Sequence, residues 1–416
     1  MPQPAGGIAI KDVVDQDVVD QDVVAENVAT RDVAIVGAGP VGLCLALELA
    51  ALGLTVTVID RAPWKALASP DDDGREIALT HASRRQLAAA GIAIPEDRMA
   101  PIREARLYNG DPPHGMTLAS ARGEAQDGIG QLVANHLIRR AAFEAVRDVD
   151  RIELITGHGV QALNGGADWR SVRLDDQRDI PARLVVAADG RLSVTRRLAG
   201  LSAQIHDTGQ RLLVRRMAHE RPHRQTTWSW FHGERGLALL PLAGDTASLV
   251  MTLPPEDAER LEAMSPTAFA AEATRLYRGC VGEMTCLDAL HDYPLTVSHA
   301  DRLVADRVAL VGDAALGLHP VTAHGFNVGL ASVRRLVEAL ASHAGTTADV
   351  GAAAGLASYA RHHQRAIVPL WHASRALVAL YGDTRPPARL ARHLALGAAR
   401  RIAPLQWLME GYLARH

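Results

Sequence analysis

An α/β fold, a parallel sheet interrupted by an inserted antiparallel sheet and closed by C-terminal helices, is what the sequence predicts. Three observations carry this. Asp32-Val33-Ala34-Ile35-Val36 is an apolar run ending in Gly37-Ala38-Gly39-Pro40-Val41-Gly42, and a helical pattern follows. Two more apolar runs, Arg183 to Ala188 and Arg307 to Val311, pass directly into Asp189-Gly190 and Gly312-Asp313. Between these two runs, Thr226 to Phe231, Gly236 to Leu242 and Ala247 to Leu253 alternate as long antiparallel strands do.

The bulk numbers suit an ordinary globular chain. With 416 residues there is room for two domains with large cores, and 48% hydrophobic against 22% charged residues is the usual balance. A net charge of −3 gives no footprint for nucleic acid. Nearly all basic residues are Arg, with only Lys11 and Lys65 as lysines, which reads as codon bias. Cys44, Cys280 and Cys286 form neither a CxxC pair nor a metal-ligand cluster, so no metal is expected and the thiols suit a reducing cytoplasm. No signal peptide is expected, because no basic region followed by an apolar run opens the chain. The most apolar window, Val33 to Ile59, is long enough to span a bilayer. Its glycine cluster, Glu48 and Gly53 make it strand, turn, helix and strand instead.

Residues 1–30 are expected to be a disordered acidic tail. Positions 12–27 repeat with a period of five and carry six acidic side chains, a period that suits neither helix nor strand. The dinucleotide-binding domain is assigned to 31–100, 128–205 and 301–345, and the inserted substrate domain to 101–127 and 206–300. Residues 346–416 form a C-terminal helical segment, broken at Pro369, Pro386-Pro387 and Pro404.

Each glycine of the first motif meets a different need. Gly37 permits the tight turn, Gly39 lets the backbone approach a pyrophosphate, and Gly42 lets the helix pack on the sheet. Pro40 and Val41 open that helix, whose free N–H groups face the phosphates. Asp60, closing the second strand with Arg61 beside it, is placed to accept hydrogen bonds from the adenosine ribose. The late Gly312-Asp313 decides between cofactors: an aspartate there binds ribityl hydroxyls, a chain that NAD lacks, so FAD is expected. No second GxGxxG exists, and NAD(P)H is expected only as a transient electron donor.

The three motifs together resemble those of the single-component aromatic hydroxylases with the para-hydroxybenzoate hydroxylase fold. Asp189-Gly190-Arg191-Leu192-Ser193-Val194-Thr195-Arg196 is similar to the middle motif of that family. Asp73-Gly74-Arg75-Glu76-Ile77-Ala78-Leu79-Thr80 resembles a segment of the ubiquinone-biosynthesis FAD-dependent hydroxylases, and the resemblance extends over about 31–416. It implies that Arg75 lies against the flavin and that Asp189 and Gly190 touch the FAD pyrophosphate. It also places Gly325 and Asn327 in the cofactor site. Two departures stand out. Leu316 occupies the usual His of Gly-Asp-Ala-Ala-His, and Ala323 and His324 replace Gly and Gln in Pro320-Val321-Thr322-Ala323-His324-Gly325-Phe326-Asn327. They point to the broad-regioselectivity subgroup that also acts on demethoxyubiquinol.

The implied reaction is hydroxylation of the aromatic ring of a polyprenyl phenol or quinol through a C4a-hydroperoxyflavin. Trp230, Leu239 and Pro241 are expected to line a dry substrate pocket. His324 and Pro320 are expected beside the isoalloxazine, His324 either as an acceptor of the phenol proton or as a hydrogen-bonded structural residue. The segment 361–416 holds nine Arg and two acids, and 385–416 is read as peripheral contact with the inner membrane or a ubiquinone-synthesis complex, or as a packed helix with a solvated basic face. The alternatives are a hydroxylase of a soluble phenol or polyketide, an FAD-dependent prenyl reductase, and an inactive FAD-binding partner of a quinone-synthesis complex.

Overall fold

The computed structural model describes residues 30–109, 115–119, 128–320, 324–341 and 349–382. The acidic repeat, part of 101–127, Thr322-Ala323 and the basic 385–416 stretch lie outside these residues.

Strand β1 (Arg31–Val36), helix α1 (Pro40–Ala51) and strand β2 (Val56–Asp60) form the expected βαβ unit. Proline at the first helical position presets φ and gives up an N–H that would be orphaned there anyway. Gly53, at φ +89°, ends the helix. The parallel sheet runs in the order Val308–Leu310, Asp179–Ala187, β1, β2, Ile152–Thr156. Its two distant strands are therefore supplied by the middle and the end of the chain, as the sequence predicts.

The strands of this sheet bury both faces. Val33, Ile35, Val56 and Val58 pack with Leu43, Leu45 and Leu49 of α1 and with Leu330, Val333 and Leu336 of the helix Gly325–Ala341. On the other face Ala34, Val36, Val185 and Val308 meet Val172 and Leu174 of an antiparallel layer. Burial on both sides explains why these strands read as continuous apolar runs rather than alternating ones.

Among the described residues the second sheet has nine strands, centred on the 17-residue strand Ala203–His219, which pairs with His291–Ala300 on one side and Thr246–Leu253 on the other. Arg235–Pro241 and Thr226–His232 follow, and Glu104–Asn109 extends the sheet in parallel with the latter. The helices Pro255–Glu262 and Pro266–Leu276 cover one face through Leu261, Phe269 and Ala273. A three-stranded sheet of Glu76–Leu79, Gly130–Ala134 and Ala100–Ile102 lies against Leu240 and Leu242.

After the parallel sheet Gly312-Asp313 forms a single turn (Gly312–Ala314), followed by Leu316–Gly317, which pair with His299 and Ser298 of the second sheet. Leu316, almost fully buried, ties the two sheets together at this point. Contrary to the expected break, Pro369 lies within one continuous helix, the last among the described residues, which runs from Ala353 to Gly382. Pro369 is on the exposed side, so water can take the carbonyl that the missing N–H leaves unpaired.

Candidate functional site

The parallel strands end in one row. Val36 pairs with Ala187 and with Ile59, and Ala187 pairs with Leu310. The residues that follow are Gly37, Asp189-Gly190, Gly312-Asp313 and Asp60. Motifs far apart in sequence thus stand side by side at the carboxyl edge of the sheet, where folds of this class bind ligands.

Each glycine has its own local reason. Gly37 has φ +114°, and a Cβ there would lie 2.4 Å from Ala188 O. A Cβ on Gly42 would lie 2.1 Å from Gly37 O, so the helix reaches the sheet only without one. Gly39 differs: nothing lies within 4 Å of where its Cβ would be, and it heads α1 with no side-chain cap. The first N–H groups of α1 therefore face open space.

Asp60 fixes this turn. Its Oδ2 accepts from Ala38 N and its Oδ1 from Ala62 N, both at 2.7 Å. Each oxygen retains a second lone pair for a ribose hydroxyl. Arg61 stands exposed beside it. Val41 fills the gap between the first and third motifs, 3.2 Å from where a Cβ would sit on Gly312 and 3.0 Å from one on Gly329.

The middle motif corrects the sequence reading of Asp189. Its carboxylate accepts from the Ser193 hydroxyl and, at 3.0 Å each, from Thr195 N and Oγ1. The side chain therefore caps the short helix Val194–Leu198. What the loop offers outward is the backbone of Gly190, at φ +85° with open space around its Cα.

In the third motif Asp313 is ion-paired with Arg191, whose Nη2 and Nε lie 2.8 and 3.2 Å from Oδ2. Gly325, with nothing within 4 Å of a Cβ position, opens the 17-residue helix Gly325–Ala341 and presents a second helix N-terminus. His324 stands directly before it, its carbonyl accepting from Val328 N at 2.9 Å. Pro320 is half-buried. His319 beside it is buried, and burial, reinforced by Arg191, pulls its pKa down to about 4, so its imidazole is uncharged at neutral pH.

The Asn327 side chain bonds to the strand Glu76–Leu79 and the residue after it. Its Nδ2 donates to Ala78 O at 2.8 Å and its Oδ1 accepts from Thr80 N at 3.1 Å. It clamps the helix Gly325–Ala341 onto the strand Glu76–Leu79, and so holds the segment that carries Arg75. Arg75 itself lies 5.4 Å over the Tyr293 ring and donates from Nε to Asp73 at 3.0 Å. Asn135 Nδ2 donates to the same carboxylate, and the Tyr293 hydroxyl to Asp73 O, both at 2.7 Å. Arg216, on the long strand of the second sheet, pairs with Asp72 and Glu76. Asp73 lies two residues from Arg75 in the sequence, but Tyr293, Asn135 and Arg216, which surround this segment, come from three separate elements that no local pattern announces.

The expected substrate wall is on the wrong face. Trp230 and Leu239 belong to the cluster beneath the two covering helices, Trp230 against Tyr108 and Tyr277. Side chains alternate along a strand, and those helices claim this set. The opposite set, Leu212, Val214, Leu240 and Val250, faces the dinucleotide-binding domain and the small three-stranded sheet. Pro241 is buried at the end of its strand, outside both groups.

The open space at Gly39, Gly190 and Gly325, the two helix N-termini and the ion-paired Asp313 fit FAD: phosphates at the amide groups, ribityl hydroxyls at the carboxylate. Comparison with known proteins agrees. The model of the FAD binding domain family matches residues 30–369. The chain is 38% identical to the ubiquinone hydroxylase UbiM of Neisseria meningitidis over 91% of its own length and 83% of that protein. It is 36% identical to the ubiquinone hydroxylase UbiL of Rhodospirillum rubrum, over 90% and 87% of the two chains. The 3-demethoxyubiquinol 3-hydroxylase of Escherichia coli is 29% identical, over 90% and 95%. The fold is that of p-nitrophenol 4-monooxygenase PnpA from Pseudomonas putida, at TM-score 0.72 and 17% identity over 93% of this chain and 99% of that one.

Proposed function

The chain belongs to the FAD-binding monooxygenases, and we propose that within this family it hydroxylates the aromatic ring of a polyprenyl phenol or quinol in ubiquinone biosynthesis. The observation that carries this reading is the likeness to a ubiquinone hydroxylase over nine-tenths of the chain. FAD is the cofactor, and when bound it supplies the electron transfer and the activation of O2, with NAD(P)H as the transient donor.

The chain's own residues bind, orient and keep the site dry. Gly37, Gly39 and Gly190 leave room for the pyrophosphate, and Asp313 takes the ribityl hydroxyls. Leu212, Val214, Leu240 and Val250 supply the apolar wall against which a lipophilic ring is held away from water. His324, at the head of the helix Gly325–Ala341, accepts the proton of the phenol and so makes the ring a better nucleophile. His319, buried and uncharged near neutral pH, is a weaker base than an exposed imidazole.

The test is substrate-dependent NAD(P)H oxidation with a polyprenyl phenol, measured together with O2 uptake and peroxide release. Hydroxylation requires O2 to be consumed without stoichiometric peroxide. A prenyl reductase on this fold would consume no O2, and an inactive partner would show no turnover. His324→Ala is expected to retain FAD and to slow ring oxidation by about 10²-fold or more; turnover unchanged from wild type removes His324 from the reaction. A deletion strain that accumulates no ring-unhydroxylated quinone precursor would contradict the pathway assignment.

Among the described residues no helix is long and apolar enough to cross a membrane. The reading of 385–416 as peripheral contact with an anionic membrane rests on its Arg-rich composition. The full chain is expected to float with anionic liposomes at low salt and to be released at high salt; failure to float at low salt ends that reading.

A further inference from the structure

In the sequence Arg191 is only a neighbour of Asp189-Gly190, yet its side chain joins the middle motif to the third motif and to the second sheet. Its Nε and Nη2 converge on a single oxygen of Asp313, Oδ2. Its Nη1 donates to Thr296 O on the strand His291–Ala300 of the second sheet. Among the described residues nothing donates to Asp313 Oδ1. The side chain lies across Gly317, where a Cβ would come within 3.1 Å of Arg191 Cβ and 3.2 Å of Nε. That glycine is what lets the arginine through. Behind it, the fully buried Arg196 donates to Arg191 O at 3.1 Å and to Ala314 O at 2.9 Å, fixing the backbone on both sides of the pair.

We propose that Arg191 is a positioning residue for the flavin site: it holds the Asp313 carboxylate turned so that Oδ1 is left for the ribityl chain, and it couples that turn to the substrate sheet. The proposal rests on the reading of Asp313 as a flavin ligand. A guanidinium suits the task because its planar fork reaches a carboxylate and a carbonyl at once, while an ammonium is a single point charge. The same charge sits beside His319 and opposes its protonation.

The experiment is a double-mutant cycle on FAD affinity of the full-length apoprotein, read by flavin fluorescence, with Asp313→Asn, Arg191→Met and Arg191→Lys. Asp313→Asn alone is expected to weaken FAD by about tenfold or more. Arg191→Met is expected to weaken it by about tenfold in the wild-type background but by less than about threefold when Asp313→Asn is already present. Arg191→Lys should fall between wild type and Met. A merely structural arginine would give the same loss in both backgrounds, and that additivity would overturn the proposal, as would an unchanged affinity in Arg191→Met. If Asp313→Asn leaves FAD affinity intact, the flavin-ligand reading of Asp313 fails instead. Should Arg191→Met not fold, the cycle of Arg191→Lys with Asp313→Asn decides by the same criterion.

Discussion

Gly39→Val is expected to fold normally and to lose FAD. The residue sits at φ −71°, ψ 167°, extended backbone that a β-branched side chain favours, so valine adds no strain there. Nothing lies within 4 Å of the new Cβ, and Gly39 caps the helix without a side-chain bond, so no native contact is lost. The space that the valine fills is the space that the pyrophosphate needs to reach the N–H groups of α1. Affinity should fall by at least about 100-fold, about 2.7 kcal/mol, while the apoprotein melts within about 0.5 kcal/mol of wild type. Isothermal titration of apoprotein with FAD, beside a denaturant melt, reads both quantities. Wild-type FAD affinity in this variant would mean that the phosphates do not pass over α1. Gly42→Val makes the useful contrast: its Cβ would meet Gly37 O at 2.1 Å, so the sheet packing fails first.

Asn327→Leu is expected to have the largest effect on stability. Leucine has nearly the same volume but no polar atoms, and it would leave Thr80 N, which is buried, and Ala78 O, which is half-buried, without their present partner. Each unsatisfied group costs about 1–3 kcal/mol, so the variant should lose about 2–5 kcal/mol in a urea melt of the apoprotein. Asn327→Asp, which can still accept from Thr80 N but cannot donate to Ala78 O, should lose less. A midpoint equal to that of wild type in Asn327→Leu would show that the clamp between the helix Gly325–Ala341 and the strand Glu76–Leu79 contributes nothing.

These two residues mark where the sequence is legible and where it is not. Gly37, Gly39 and Gly42 can be read directly, because a missing Cβ at that spacing has few explanations other than a phosphate turn. The parallel strands can be read for the same kind of reason, since burial on both faces leaves uninterrupted apolar runs. Asn327 reads as part of the cofactor segment 320–327, but its partners lie 247 and 249 residues away, and no local pattern announces them. Trp230 and Leu239 show a second limit. Their alternation correctly predicts a strand, but alternation is symmetric, and only the helices Pro255–Glu262 and Pro266–Leu276 decide which face looks away from the dinucleotide-binding domain. Arg191 and Asp313 show a third: each has an ordinary local reading, as a loop arginine and a flavin ligand, and only the register of three strand ends brings them within 2.8 Å.

The account depends on one flavin being held by turns that the beginning, middle and end of the chain contribute to a single sheet edge. The most direct measurement is the flavin content of the purified wild-type protein, by absorbance and by release of the cofactor on denaturation, before and after incubation with FAD. Binding of FAD in a one-to-one ratio to the chain is the result the account requires. A protein that is colourless as purified and takes up no FAD on reconstitution would contradict it.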